Sequence, residues 1–298
     1  MFPAFEKIKI NVLLSGPNCS FTLSMSQVMK KTLILLFLSL KLISSGEAMA
    51  CLNKGTVLLV HGLNNRPMIL DELAVNLKQL NYFPVAVSLQ GHTPDSKPIN
   101  QVTQNDWIVD FERKLLDVRV QARLSNCPIY LLGYSLGAVV IENYFSLHPQ
   151  VAREVAKIVY ISPALFLRQR SINFINLVDF LGISSLPSFT PQEYKANNLL
   201  PITAYKSLFL LAQQIEQKIE KNVATPRLVI ISKKDEVVDY EAINSYIEKH
   251  AALFEIITVE KDPNAKSSYN HLIVHQDDLG TALWDTTIRK IDHFFNSK

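Results

Sequence analysis

From Thr56 onward the sequence alternates short apolar, β-rich runs with longer segments of helical periodicity. Runs that are apolar throughout are typical of strands buried on both faces, which pair in parallel and are connected by helices. The pattern therefore predicts an α/β fold in which a mostly parallel central sheet is flanked by helices. Strands are predicted at residues 56–60, 83–88, 129–132, 157–161, 227–231 and 254–259, and helices at 68–80, 107–124, 136–147 and 282–295.

One stretch, residues 162–225, interrupts this alternation. It carries apolar patches and four prolines, and it shows no convincing strand pattern. We interpret it as a helical cap inserted into a single domain of residues 51–298. A chain with 48% hydrophobic and 19% charged residues has the composition of an ordinary globular domain.

Residues 1–50 have the features of an export signal. A basic start at residues 29–31 precedes an apolar run at residues 32–43 and an A-x-A sequence that ends at Ala50. The apolar run is too short to span a bilayer, which takes about 20 residues. We therefore predict translation from Met29, with Met25 as the alternative, cleavage after Ala50, and export to a periplasm or the exterior with no membrane span in the mature protein.

The charge distribution bears on the partners of the protein. The net charge of +3 resides entirely in residues 1–50, which hold five lysines and two glutamates, so the rest of the chain is neutral. A neutral domain lacks the overall basic charge typical of nucleic-acid binders. The sequence also has no G-x-G-x-x-G, C-x-x-C or H-E-x-x-H pattern. We predict no nucleic-acid partner, no cofactor and no metal site, and we make no prediction of oligomeric state.

A G-x-S-x-G sequence, with Ser135 at its centre, lies between a predicted strand and a predicted helix. Such a sharp strand-to-helix turn exposes the serine hydroxyl, and the flanking Gly133 and Gly137 let strand and helix pass closely. The N-terminus of the following helix favours the negative charge that develops when a carbonyl is attacked. Ser135 is therefore predicted to be a nucleophile, the alternative being a glycine-rich turn with an exposed serine.

A serine nucleophile needs a general base and a third group that orients the base. Asp235 lies four residues beyond a predicted strand and is the preferred acid, with Glu236 and Asp239 as competitors. His271 lies in the loop before the last helix and is the preferred base, with His275 as the alternative. The histidines interpreted as loop, cap or surface residues are His92, His148, His250 and His293.

Taken in chain order, His61-Gly62, the serine turn, Asp235 with two valines after the next residue, and His271 resemble the α/β-hydrolase superfamily. The resemblance covers roughly residues 56–295 and looks closest to the monoacylglycerol-lipase and carboxylesterase branch. That branch often has glycine before the catalytic histidine, where this chain has Asn270. Asparagine tolerates unusual backbone angles, so the assignment of His271 stands.

The resemblance implies an oxyanion hole made by the backbone N–H groups of Leu63 and Leu136, and a lid formed by residues 162–225. It further implies a serine hydrolase that cleaves carboxylic esters through an acyl-enzyme, on a small-molecule or lipid ester. The apolar patches of the lid would suit an acyl chain. The alternatives are a thioesterase or peptidase with the same triad, and a non-catalytic binding module on a hydrolase scaffold.

Cys51 and Cys127 precede the first and third predicted strands. In the fold that this chain resembles, those strands are parallel neighbours, so their amino ends lie side by side, opposite the catalytic loops. The resemblance thus predicts a disulfide between the two cysteines, which an oxidising compartment favours. The alternative makes Cys51 a lipid-anchored first residue, although the leucine expected ahead of such a cysteine is missing.

Overall fold

The computed structural model describes residues 51–188, 190–216 and 225–297. The predicted signal peptide, the start at Met29 and the cleavage site lie outside the described residues. The strands are β1 (Thr56–Val60), β2 (Phe83–Val87), β3 (Ile129–Tyr134), β4 (Lys157–Ile161), β5 (Ser185–Pro187), β6 (Leu199–Pro201), β7 (Arg227–Ser232) and β8 (Phe254–Val259). The helices are α1 (Asp71–Gln79), α2 (Gln104–Ser125), α3 (Leu136–Leu147), α4 (Pro149–Ala152), α5 (Gln169–Phe180), α6 (Ile202–Glu216), α7 (Tyr240–Lys249), α8 (Gln276–Leu279) and α9 (Thr281–Asn296).

Six of these strands form one parallel sheet in the order β2-β1-β3-β4-β7-β8, with apolar cores on both faces. The four inner strands are buried along their whole length, as their largely apolar sequences predict, while the edge strands β2 and β8 are partly exposed. The predicted α/β architecture is confirmed. No helix of the described residues is long and apolar enough to cross a membrane.

Several helices differ from the sequence prediction: α1 begins at Asp71 instead of residue 68, and the short helices α4 and α8 were not predicted. Helix α2 begins three residues earlier than predicted, because Thr103 and Asp106 form a capping box at its N-terminus. Helix α7 was not predicted, although Ile243 and Ile247 give it a buried face. The carboxylate of Asp239 caps α7 by accepting a hydrogen bond from the N–H of Ala242, so this competitor for the role of catalytic acid has a structural task.

The inserted segment contains α5, β5, β6 and α6 between β4 and β7. The expectation that it lacks strands is wrong, because β5 and β6 pair antiparallel from Ser185 opposite Pro201 to Pro187 opposite Leu199. Helix α6 packs against α3 and shares the main apolar core with it. The amide nitrogen of Asn143 in α3 also donates to the carbonyl oxygen of Leu211 in α6, at 2.9 Å. The inserted segment is therefore joined to the body through α6.

Cys51 and Cys127 form a disulfide, with 4.9 Å between their Cα atoms. Strands β1 and β3 are parallel neighbours in which Thr56 lies opposite Ile129. The amino ends of both strands therefore lie side by side, which brings the two cysteines together. The structure confirms the predicted pairing.

Candidate active site

Ser135 forms the turn between β3 and α3 and has a left-handed backbone conformation, with φ of 51°. Its N–H donates to the carbonyl oxygen of Ile161 in the neighbouring strand at 3.1 Å, and that bond helps to hold the unfavourable conformation. A Cβ atom on Gly137 would overlap the carbonyl oxygen of Val60, and one on Gly133 would come within 2.7 Å of the nitrogen of Ala138. Both glycines are thus required for the close approach of strand and helix.

Ser135, His271 and Asp235 form one hydrogen-bonded row. The Oγ of Ser135 lies 2.9 Å from Nε2 of His271, and Nδ1 of His271 lies 2.9 Å from Oδ2 of Asp235. Asp235 is fully buried, and its Oδ1 accepts hydrogen bonds from the N–H groups of Val237 and Val238 at 2.8 Å each. A carboxylate at Nδ1 keeps the proton there and leaves Nε2 free to accept the proton of the serine.

The electrostatics of Asp235 fit a permanent negative charge. Burial alone raises the pKa of this carboxyl, but the adjacent His271 and the N–H groups of Val238 and Val237 lower it more. The net effect holds the pKa of Asp235 below its ordinary value. Asp235 is therefore ionised, and its carboxylate orients the imidazole of His271.

The carboxylate of Glu236, the competitor of Asp235 for the predicted role of acid, binds the backbone of the histidine loop, whereas Asp235 lies at the imidazole of His271. The Glu236 carboxylate accepts hydrogen bonds from the N–H of Asn270 at 3.0 Å, from the side-chain amide of Asn270 at 2.8 Å and from the N–H of His271 at 3.1 Å. Asn270, the residue at which the branch that the sequence resembles often has glycine, is thus tied to the loop that carries Asp235. Glu236 holds the backbone of His271 in place.

His275 and His92 make their contacts with residues other than Ser135. Nδ1 of His275 lies 3.1 Å from Asp278, and its ring stacks on Tyr194. The interpretation of His92 as a loop, cap or surface residue is wrong, because its side chain is fully buried beside His61, with 4.9 Å between the ring centroids.

His61 and His92 support the loop that follows β1. Nδ1 of His61 donates to the carbonyl oxygen of Gly62 at 2.9 Å, and Nε2 of His92 accepts the N–H of Asn64 at 3.0 Å. Burial lowers the pKa of His61 to about 3, aided by the adjacent His92, and burial lowers the pKa of His92 to about 4. Both imidazoles are therefore neutral near pH 7. The periodicity of the sequence did not indicate that these two histidines pack together.

The low pKa values of His61 and His92 predict that the folded protein loses stability in acid. Because their folded pKa values lie below the ordinary value of about 6.5, the unfolded chain binds more protons than the folded one. The stabilisation is complete above pH 6.5 and is lost as the pH falls toward about 4 and about 3. Each histidine is expected to lower the free energy of unfolding by up to ~1.4 kcal/mol per pH unit in that window, as measured by denaturant unfolding from pH 7 to pH 4.

A matched pair of variants isolates this effect from that of the carboxylates. His92→Gln should flatten the pH dependence of the unfolding free energy, and His148→Gln, the same substitution at a half-buried site, is the variant against which the slope is compared. An identical slope in His92→Gln and the unchanged protein would contradict the assignment.

A cavity of about 590 Å³ opens at Ser135 and His271. The inserted segment supplies most of its wall, from α5, β5, β6 and α6. The wall is predominantly apolar and includes Phe174, Ile175, Leu186, Leu200, Leu208 and Phe209. Phe180, in one of the apolar patches of the inserted segment, is 85% exposed and is not part of the wall.

The fold and the site together define an α/β hydrolase. Residues 52–200, half of the chain, match the family model described as serine aminopeptidase, S33, and the chain belongs to that family. No curated protein matches the chain in sequence.

Solved structures share the fold at low sequence identity. A soluble variant of monoglyceride lipase from Saccharomyces cerevisiae, in complex with a substrate analog, superposes with a TM-score of 0.66 at 14% identity, over 84% of this chain and 88% of that chain. A monoacylglycerol lipase from Paleococcus ferrophilus superposes with a TM-score of 0.61 at 15% identity, over 83% of this chain and 96% of that chain. A metagenome-derived lipolytic enzyme gives 0.61 at 20% identity, over 82% and 98%.

Proposed function

We propose that the protein is an exported serine hydrolase that cleaves carboxylic esters with lipid-like acyl groups. The observation that carries the proposal is the row of Ser135, His271 and Asp235 at the mouth of an apolar cavity. A nucleophile, a base and an orienting acid within hydrogen-bond distance are the set that acyl transfer requires.

In the proposed reaction, the Oγ of Ser135 attacks the ester carbonyl carbon while Nε2 of His271 takes the hydroxyl proton. The imidazolium formed is stabilised by the carboxylate of Asp235. The tetrahedral intermediate collapses when His271 returns that proton to the leaving alcohol, which leaves an acyl group on Ser135. Water then attacks the acyl-enzyme in the same way, with His271 as base, and releases the acid and the free serine.

Two backbone donors are available for the oxyanion of this intermediate. Leu136 is the first residue of α3, so its N–H has no acceptor within the helix. In the described part of the chain, the N–H of Leu63 donates to no other group, and Leu63 lines the cavity beside Ser135. Both N–H groups therefore support the assignment as oxyanion-hole donors.

The cavity favours an ester over an aminopeptidase substrate. The free amino terminus of a peptide needs a carboxylate partner, and the only carboxylate in the described wall belongs to Glu236. That carboxylate already accepts three hydrogen bonds from Asn270 and His271. An apolar acyl chain requires no such partner.

The proposal of export rests on the signal-like sequence of residues 29–50 and on the disulfide between Cys51 and Cys127. Disulfides persist in oxidising compartments. Cleavage after Ala50 would leave Cys51 as the first residue of a disulfide-bonded mature protein.

A series of p-nitrophenyl esters tests the substrate proposal. The full chain should react with a fluorophosphonate probe and hydrolyse esters faster than amino-acid p-nitroanilides. Phe174→Ala removes part of the cavity wall and should reduce kcat/KM for C8 to C12 esters roughly fivefold relative to C2, the effect of about 1 kcal/mol of lost apolar contact.

Phe180→Ala is the matched control, because the side chain lies in the same helix but outside the cavity wall. It should leave the chain-length profile unchanged. Faster turnover of the anilides than of the esters would refute the ester proposal, and equal profiles for both phenylalanine variants would refute the acyl pocket.

A further inference from the structure

The inserted segment makes a second connection to the body, at the loop of residues 61–66 that follows β1. The N–H of Arg66 donates to the carbonyl oxygen of Tyr194 at 2.8 Å, and the side-chain amide of Asn65 donates to Oγ1 of Thr190 at 3.1 Å. Asn65 and Lys195 also form an isolated antiparallel bridge. Residues 190–197 therefore lie along the loop that carries the N–H of Leu63.

The centre of this connection is a pair of asparagines, Asn64 in the loop and Asn197 in the inserted segment. Oδ1 of the fully buried Asn64 accepts the N–H of Asn197 at 2.9 Å and its side-chain amide at 3.1 Å. The side-chain nitrogen Nδ2 of Asn64 donates to the backbone carbonyl oxygen of Asn197 at 2.8 Å. The side chain of Asn197 donates in addition to the carbonyl oxygen of Gly91 at 2.8 Å. We refer to this pair as the Asn64–Asn197 clasp.

The backbone of Asn64 is held from its other side as well. Its N–H donates to Nε2 of His92 at 3.0 Å, and its carbonyl oxygen accepts the N–H of Ala196 at 3.0 Å. These bonds fix a left-handed conformation with φ of 58°, which asparagine tolerates better than most residues. On the other side of Leu63, the carbonyl oxygen of Gly62 accepts hydrogen bonds from His61 and Asn65. Both chain neighbours of Leu63 are thus fixed.

We propose that the Asn64–Asn197 clasp positions the oxyanion hole, so that the inserted segment holds the N–H of Leu63 toward the carbonyl oxygen of the ester. Asn64 and Asn197 are positioning residues, because they act on the reaction through the backbone of Leu63. The inference rests on the proposed ester hydrolysis. The inserted segment then serves catalysis in two ways: it forms the wall of the acyl cavity, and it holds the N–H of Leu63 in the oxyanion hole.

The test compares transition-state binding with substrate binding in the full chain. Asn64→Gly removes the amide group and permits the left-handed backbone, and Asn197→Ala removes only the two hydrogen bonds of the Asn197 side chain. Kinetics on a C4 ester give kcat and KM, and a trifluoromethyl ketone, which forms a tetrahedral oxyanion on the serine, gives an inhibition constant. We expect kcat/KM to fall roughly 30-fold in Asn64→Gly and less in Asn197→Ala, since losing one oxyanion donor costs on the order of 100-fold.

The signature of positioning is that the inhibition constant rises by the same factor as kcat/KM falls, while KM stays within about twofold. Asn81→Gly is the matched control, because Asn81 is an exposed asparagine with φ of 68°, and this variant should match the unchanged protein. Asn197→Ala keeps the test decisive if Asn64→Gly does not fold.

Two results would overturn the inference. One is a folded Asn64→Gly protein whose kcat and inhibition constant stay within twofold of the unchanged protein. The other is a loss of activity that comes with a lower melting temperature and a higher KM but an unaltered inhibition constant, which would make the clasp a structural link only. Failure of the proposed function is distinct, because the unchanged protein would then neither hydrolyse the ester nor bind the ketone.

Discussion

Ser135→Ala is expected to reduce ester turnover by roughly 10⁴- to 10⁶-fold, the range known for removal of the nucleophile from serine hydrolases. The Oγ of Ser135 lies 2.9 Å from Nε2 of His271, and alanine has no hydroxyl whose proton the base could take. The fold should persist, because alanine loses one small polar group and keeps the same backbone strain. Initial rates on a C4 ester, with circular dichroism of the same sample, measure both effects.

His271→Ala should lower the rate nearly as far, and the double variant should be little worse than either single variant, because the two residues act as a unit. Ser162→Ala is the matched control. Ser162 is also a buried serine with a left-handed backbone, at the end of the neighbouring strand, and its hydroxyl has no partner among the described residues. Equal losses at Ser135 and Ser162, or more than a tenth of the activity remaining in Ser135→Ala, would count against the mechanism.

Removing the disulfide is expected to lower the free energy of unfolding by roughly 4 kcal/mol. The two cysteines are 76 residues apart in sequence, and closing a loop of that length restricts the unfolded chain by about this amount in the chain-entropy model. In a domain of this size the melting temperature should fall by roughly 8–16 °C. Thermal and denaturant unfolding of the Cys51→Ser/Cys127→Ser double variant against the oxidised protein measure the change.

Catalysis should be spared, because the disulfide lies at the amino ends of β1 and β3, whereas Ser135 follows the carboxyl end of β3. The reduced unchanged protein is the internal control and should match the double variant in stability. Intact-mass measurement before and after alkylation establishes the oxidation state. Two free thiols in protein recovered from an exported fraction would contradict the disulfide.

Much of the fold could be predicted because its signals are local. Helix α3 and strands β1, β4 and β8 have the predicted bounds, since apolar runs between turn residues define both ends. The serine turn was recognisable because strand, glycine, serine and helix are consecutive in the chain. Asp235 and His271 follow the serine turn in the chain, and this order made them the candidates for acid and base. The structure brings both of them to Ser135.

The supporting contacts of the site could not be predicted, because they join residues that are distant in sequence. Asn64 and Asn197 are 133 positions apart, and no periodicity relates them. His92 resembled a loop residue because the groups it packs against, His61, Trp107 and the N–H of Asn64, are distant in sequence. Glu236 competed with Asp235 as an acid, since two adjacent carboxylates in one loop are chemically alike until their donors are known. Helix α7 is different, because the spacing of Ile243 and Ile247 gives it an amphipathic pattern in the sequence itself.

Helix α6 limits which parts of the inserted segment can be exchanged in engineering the cavity. Its Leu208 lines the cavity, while its Leu211 and Ile215 are part of the core shared with α3. A chimera that exchanges residues 162–225 as one cassette would therefore disrupt the core along with the pocket. The unit that can be grafted from a relative is smaller, from α5 to β5, and a graft that keeps Asn197 and α6 redesigns the pocket while retaining its attachment to the scaffold.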